Sequence, residues 1–299
     1  MTADKDRMYS HVEFLTNIYP PRNHENIGSL EEAASYIEGE FGKLDCAVES
    51  QYFTAEGREY RNVIASFNTG MKKRLIVGAH YDVCNETPGA DDNASAVAGL
   101  LECARLLDTL KPVLDYRIDF VSFCLEEPPY FRTPDMGSAV HARSLLPYRN
   151  DIMGMICLDM IGCFSDEPGS QDIPLKDLRK VFPDTGNFII VAGRSHQKRF
   201  AETVTGLISE KCSVLAYTVT DQRLNSLLEL SDHLNYWNYG INAVMINDTA
   251  MLRNKNYHRE GDTIEKLDFE SMTEVVTGCC NAVIKIGNHL TNQDTLKRG

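Results

Sequence analysis

The sequence predicts an α/β protein: a single domain in three layers, with helices sandwiching a mixed, mostly parallel sheet. Three observations predict it. β-branched apolar runs alternate with amphipathic stretches along all 299 residues, the pattern of βαβ units. Three of those runs end in imidazole or acid: Ile76-Val77-Gly78-Ala79 runs into His80, Phe120 to Leu125 into Glu126-Glu127, and Met153 to Leu158 into Asp159. Open α/β sheets collect their ligands beyond the carboxyl ends of the strands. Finally, no internal repeat and no low-complexity linker divides the chain, so one domain is expected over residues 1–299.

Taken in order, residues 1–45 read as a helical segment. A first helix is expected around His11 to Ile18. Pro20-Pro21 breaks it, and a second helix follows from Leu30 to Leu44 with Ser29 as its N-cap, since Ser29-x-x-Glu32 has capping-box spacing. Strands are predicted at 47–56, 60–67 and 73–80. A helix follows at 93–110, its small residues fit to pack on a sheet. Further strands are expected at 116–125, 152–160, 187–192 and 242–247, with helices at 137–146, 196–210 and 269–290. The stretch from Gly162 to Thr185 mixes Pro, Gly, Asp and Ser with weak periodicity and reads as a long excursion near the site.

Composition narrows the function. Formal net charge is −13, which argues against nucleic acid, because phosphate binding needs a basic face. No apolar run is long enough to span a membrane, and no leader is read at Met1 to Ser10, which is polar. Nine cysteines without CxxC spacing do not read as a disulfide framework, so a reducing, cytoplasmic setting is expected.

The chemistry lies in five donors: His80, Asp92, Glu127, Asp159 and His258. Two imidazoles and three carboxylates suit zinc or a similar divalent ion. Five side chains exceed one tetrahedral zinc, and they fit two ions about 3.5–4 Å apart that share a bridging carboxylate. Adjacent residues at a strand end point to different sides, so one glutamate of the 126–127 pair can hold metal while its neighbour faces a water as general base. Asp82, two residues from His80, is placed to accept the other imidazole N–H.

These segments resemble the zinc aminopeptidases that include bacterial leucyl aminopeptidases, relatives of glutaminyl cyclases and glutamate carboxypeptidases. The resemblance rests on Gly78-Ala79-His80-Tyr81-Asp82, Pro88 to Ser95, Glu126-Glu127, Asp159, Ser231-Asp232-His233, and Tyr257-His258 with Asp262-Thr263, which fall in family order over roughly 62–290. It implies a zinc-exopeptidase fold and two Zn2+ ions. His80 and Asp159 would hold one ion, Glu127 and His258 the other, with Asp92 bridging. Glu126 would be the catalytic base and Asp82 the partner behind His80. In the family pattern the bridging acid precedes a small polar trio, here Asn93-Ala94-Ser95, which selects Asp92 over Asp91. Two departures stand out. Pro128-Pro129-Tyr130-Phe131-Arg132-Thr133-Pro134 replaces the usual small residues after the glutamates, and Ala96 replaces a glycine.

The resemblance implies hydrolysis of the first peptide bond of a substrate with a free N-terminus. Competing readings are glutaminyl cyclisation on a single zinc, a carboxypeptidase drawing on Arg132, Arg194 or Arg253 for the substrate carboxylate, and a binding domain without catalysis. Other groups get plainer readings. Asp91 is expected to serve the turn, His233 a structural or pocket-wall role, and Cys124 and Cys157 to be buried small hydrophobes. Tyr236, Trp237, Tyr239 and Phe131 are candidates for an apolar pocket, with core packing as the alternative. Tyr130, Phe131 and Arg132 are expected at the mouth of the site on a proline-stiffened loop.

Overall fold

The computed structural model describes residues 1–296. One sheet carries β1 (Ala47–Ala55), β2 (Arg58–Phe67), β3 (Arg74–His80), β4 (Arg117–Phe123), β5 (Ile152–Leu158), β6 (Phe188–Ala192), β7 (Leu215–Val219) and β8 (Ala243–Asn247). Their spatial order is β1-β2-β4-β3-β5-β8-β6-β7. The middle pairs β4–β3, β3–β5 and β5–β8 are parallel, as is β6–β7. The pairs β1–β2, β2–β4 and β6–β8 are antiparallel.

Strand periodicity sorts the core into two layers. Leu75, Val77 and Ala79 of β3 join a cluster with residues of α1 (Lys5–Thr16), α2 (Ile27–Phe41), α3 (Ala96–Leu110), α5 (Lys198–Ser209) and α8 (Phe269–Leu296). Ile76, between them, joins the opposite cluster with residues of α4 (Gly137–Ser144), α6 (Asn225–Leu228) and α7 (His233–Asn238). Strands covered on both faces need continuous apolar runs, which is why β3, β4 and β5 were legible.

Several boundaries differ from the sequence reading. The first helix begins at Lys5, because the Asp4 carboxylate accepts the Arg7 N–H at 3.1 Å and caps it there. The second begins at Ile27, so Ser29 is buried inside it rather than capping it. The turn before it is organised by Asn23, whose side-chain oxygen accepts the N–H groups of Glu25 and Asn26. α3 starts at Ala96, since Asp92 (φ −105°, ψ 88°) and Asn93 (φ −137°, ψ 32°) leave helical geometry in the turn Ala90–Ser95. Neither β7 nor α7 was expected. β7 is five residues at the sheet edge with mostly half-buried side chains, and α7 is six residues with no side-chain cap, so neither carries a clear period.

Candidate active site

The centre lies beyond the carboxyl ends of β3, β4 and β5. His80 is the last residue of β3, Glu126-Glu127 follow β4, and Asp159 follows β5 directly. Asp92 comes from the turn ahead of α3, and His258 from the loop between β8 and α8. The structure therefore brings all five sequence-selected donors, with Glu126 and Asp82, to one place.

Asp92 sits between the imidazoles, with Oδ1 3.3 Å from His80 Nε2 and Oδ2 3.2 Å from His258 Nε2. On the His80 side, Asp159 Oδ2 lies 3.8 Å and Glu126 Oε2 3.9 Å from Nε2. On the other side, Glu127 Oε2 lies 3.2 Å from His258 Nε2. The adjacent glutamates thus face different imidazoles, but strand pleating is not the cause: both lie past the end of β4, after Leu125 at φ +61°. Asp91 turns away from the centre: Oδ1 accepts the Gly162 N–H and Oδ2 the Asn254 side-chain N–H, each at 3.0 Å, tying the turn to two neighbouring loops.

Backbone amides fix these donors through two carboxylates. Asp82 accepts the N–H of Glu126 at 3.1 Å and of Glu127 at 3.0 Å. Asp262 accepts the N–H of Asp91 at 3.1 Å and of Asp92 at 3.0 Å. Asp82 also stands behind His80, its backbone oxygen 3.2 Å and its Oδ1 3.5 Å from Nδ1. Asn93 secures the third strand end, accepting the Met160 N–H at 3.0 Å. Gly89 permits the tight approach of this loop: it has φ +60°, and a Cβ there would lie 2.3 Å from the Asp92 carbonyl oxygen.

The sequence reading missed the guanidinium beneath this loop. Arg22 is buried and donates to the carbonyls of Tyr81 (2.8 Å), Leu15 (3.0 Å), Pro88 (2.6 Å) and Gly89 (2.8 Å). Burial lowers it to about 10 against the pull of Asp262, Asp82, Asp92 and Glu127, so it remains a cation at neutral pH. A single buried Arg beside a proline break carries no pattern that would have found it. Asp232 also went without a role. It is buried in the loop before α7, and burial among neighbouring carboxylates raises its carboxyl to about 7.

The electrostatics show what kind of ligand would suit the centre. Burial raises Glu127 and Asp159 to about 7 and pushes Glu126 well above the usual carboxylate range, with Glu127, Asp232 and Asp159 adding repulsion. Only Asp92 is lowered: burial opposes it, but hydrogen bonds from His258 and His80 prevail. Glu127 Oε1 is buried without a hydrogen-bond partner. Clustered carboxylates with an orphaned oxygen and two imidazoles match what a divalent cation requires. His80, Asp92 and Glu127 each offer a ligand atom within 4.8 Å of the others, and the mixed nitrogen and oxygen donors suit zinc.

A cavity of about 240 Å³ opens onto these donors. One end holds His80, Asp92, Glu126, Glu127, Asp159 and His258. The other is apolar, walled by Ile173, Pro174, Leu178 and Phe182 of the 162–185 excursion with Phe188 and Ile190 of β6. That excursion does lie at the site. Phe131 lines the cavity, but the other two residues expected at its mouth do not. Tyr130 is buried against Tyr60 and His24, its hydroxyl 3.3 Å from Glu56, and Arg132 lies over the Phe131 ring at 5.2 Å. Tyr236 and Trp237 are core: the Tyr236 hydroxyl meets His141 Nδ1 at 2.6 Å, and the Trp237 indole donates to the Ala243 carbonyl at 2.9 Å. Tyr239 packs against the same core cluster. His233 is structural, Nε2 bonding to the Leu228 carbonyl at 2.7 Å.

A parallel-centred α/β sheet with a buried carboxylate–imidazole centre beyond its strand ends defines a class of metal-dependent hydrolase. The chain belongs to peptidase family M28, whose model matches residues 62–283, and it is a peptide hydrolase. It is 39% identical over 284 residues to the uncharacterized protein YfbL of Escherichia coli K12, covering 92% of this chain and 86% of that one. It is 24% identical over 269 residues to a probable leucine aminopeptidase 1 of Trichophyton verrucosum, covering 80% of this chain and 66% of that protein's length. Its fold matches LapB of Legionella pneumophila with a TM-score of 0.74 at 20% identity, over 95% of this chain and 72% of that one.

Proposed function

We propose that this chain is a two-zinc aminopeptidase that releases the N-terminal residue of a peptide. The observation that carries the reading is the cavity lining. Among the described residues it contains carboxylates, imidazoles, a few uncharged polar groups and apolar side chains, and neither lysine nor arginine. With no cationic side chain in the lining to pair a terminal carboxylate, recognition falls to the substrate's free α-amine, for which carboxylate oxygens are at hand. The three arginines that a carboxypeptidase could draw on are engaged elsewhere. Arg253 is buried and bonds to Gln171 and to the carbonyls of Cys163 and Phe188. Arg194 meets Glu229 and the Trp237 ring, and Arg132 lies over Phe131.

A bound zinc pair supplies Lewis-acid polarisation of a carbonyl and a water acidic enough to lose its proton near neutral pH. His80 and Asp159 would hold one ion, Glu127 and His258 the other, and Asp92, with one oxygen toward each imidazole, would serve both. Glu126 takes the proton of the attacking water and passes it to the leaving amine. Its burial suits it to carry that proton between the two transfers. Asp82 orients His80 and holds the Glu126-Glu127 turn, so metal and base are set by one carboxylate. The apolar end of the cavity receives the side chain of the departing residue. A cyclase that works on one zinc has no need of a carboxylate placed between two imidazoles, which favours hydrolysis here. Nine free cysteines fit a reducing compartment.

The test is a panel of peptides with both termini free, N-acetylated, or C-amidated, assayed by mass spectrometry with zinc present. Loss of the first residue from free and C-amidated peptides, with N-acetylated peptides untouched, is expected. Release of the C-terminal residue, or equal cleavage after N-acetylation, overturns the reading.

A further inference from the structure

The His258 side of the centre holds a donor that the five-ligand set does not use. Cys84 lies in the loop leaving β3, two residues beyond Asp82, and is 5% exposed. Cys84, Glu127 and His258 each offer a ligand atom within 4.8 Å of the other two. Two of those three are the side chains assigned to the ion on that side, and the buried, unpartnered Glu127 Oε1 belongs to the same group of residues. The loop is built to hold the sulfur in place. Val83 N–H donates to the Arg22 carbonyl at 3.1 Å, and Thr87 N–H to the Cys84 carbonyl at 3.2 Å. The Asn85 side-chain amide donates to Sγ at 3.3 Å, so the sulfur already acts as an acceptor.

A second trio offers a contrast. Asp91, Cys163 and Asp248 also approach within 4.8 Å of one another. There the carboxylates are spent on protein donors: Asp91 on Gly162 and Asn254, Asp248 on the amides of Cys163 and Ala250. Among the described buried oxygens, neither aspartate leaves one without a partner, whereas Glu127 does.

We propose that Cys84 is a metal ligand, completing a Cys84–Asp92–Glu127–His258 set for the ion on the His258 side. The inference rests on the two-ion reading above. On binding, the thiol S–H bond breaks, its proton leaves to water, and a sulfur–metal bond forms without change of oxidation state. Four protein donors fill a tetrahedral zinc, as in structural sites. The opposite ion, held by His80, Asp159 and Asp92, would have a position left for water. The two sites therefore differ in kind: a thiolate selects zinc, cadmium or cobalt over magnesium or manganese on the His258 side alone.

The experiment loads the metal-free full-length protein with Co(II), counts bound cobalt by elemental analysis, and records near-ultraviolet absorption for sulfur-to-cobalt charge transfer. Wild type is expected to bind two equivalents and show the band. Cys84→Ser should abolish the band and weaken one equivalent by roughly 10–100-fold or more, the scale lost even for a partner behind a ligand. Cys163→Ser should keep the band, which assigns it to one cysteine. Two bound equivalents without a band, or a band that survives Cys84→Ser, overturn the thiolate ligand and leave the two-ion reading standing. Binding of a single equivalent by wild type overturns the two-ion reading, and a single equivalent without the band overturns both.

Discussion

The two ends of the cavity are built in different ways. At the polar end, every donor but His258 sits at or just past a strand end or in a pinned turn, and buried carboxylates hold the backbone: Asp82 grips the 126–127 turn and Asp262 the 91–92 turn. At the apolar end, the wall is gathered from the 162–185 excursion, the short strands β6 and β7, and the segment around Leu224 to Leu230. Its ties run among loops rather than to the central strands: Ser165 bridges to Gly186, Gln171 bonds to Thr249 and Arg253, and the Asp172 N–H donates to the Leu252 carbonyl. On the proposed function, the metal donors are mounted on or beside the sheet ends, and substrate preference would fall to segments that can vary without disturbing them.

Removing an imidazole should be the most severe change. His80→Ala and His258→Ala should each abolish peptide hydrolysis and lower metal content, measured by elemental analysis, while circular dichroism stays close to wild type. The fold should survive because both apolar clusters are built from other residues. Full metal occupancy with normal turnover in both variants would sink the assignment.

Within the glutamate pair, the consequences should split. Glu126→Gln should keep metal and lose about 10²–10⁴ in kcat, the scale of general base catalysis. Glu127→Gln should instead lower metal affinity, since its Oε2 faces His258 Nε2 at 3.2 Å. Reversed phenotypes would exchange the two roles.

Asp262 probes the backbone behind the donors. Asp262→Asn replaces one of two accepting oxygens by an NH2 group, which must then face the amide of Asp91 or Asp92. Asp92 should lose its fixed position, and metal affinity should fall about 10–100-fold, as for other partners of metal ligands. Competition with a chromogenic chelator measures it. Unchanged affinity would mean that Asp92 is held by its imidazole neighbours alone.

How much was legible follows the same division. His80, Glu126-Glu127 and Asp159 were readable because buried strands show as apolar runs, and a charge at the end of such a run has to be explained. Asp92 and His258 are on loops, where strand periodicity is silent: residue type made them candidates, and the family resemblance chose Asp92 over Asp91 and gave both their roles. Arg22 lay hidden because its partners are the carbonyls of Leu15, Tyr81, Pro88 and Gly89, drawn from two segments by the fold alone. The same holds for Cys84, which only the fold brings beside His258. Ser29 misled for a different reason. Its spacing to Glu32 satisfies a capping pattern, but Asn23 had already organised the turn upstream. The 128–134 loop was placed correctly near the site, yet sequence could not say which of its side chains turn inward.

The apolar wall gives the smallest effect and the one most specific to this chain. Phe131 and Leu178 reach the cavity from opposite sources, the loop after Glu127 and the excursion, and neither is placed to hold metal or to move a proton. Phe131→Ala and Leu178→Ala should therefore leave metal content and the pH profile as they are. They should change the ranking of substrates by first side chain, with large apolar residues losing kcat/KM relative to alanine. A pocket contact of one or two methylenes discriminates by about 10–200-fold at most, so shifts within that range are expected across a panel of aminoacyl-nitroanilides. Arg132→Ala serves as the comparison, because its guanidinium touches the cavity only through the Phe131 ring and should alter the ranking less than Phe131→Ala does. If Phe131→Ala and Leu178→Ala lowered thermal stability but left the ranking intact, the wall would be a packing surface, and the substrate side chain would bind elsewhere along the cavity. If either variant lost metal, the two ends of the cavity would not be independent, and the division between sheet-borne chemistry and loop-borne specificity would fail.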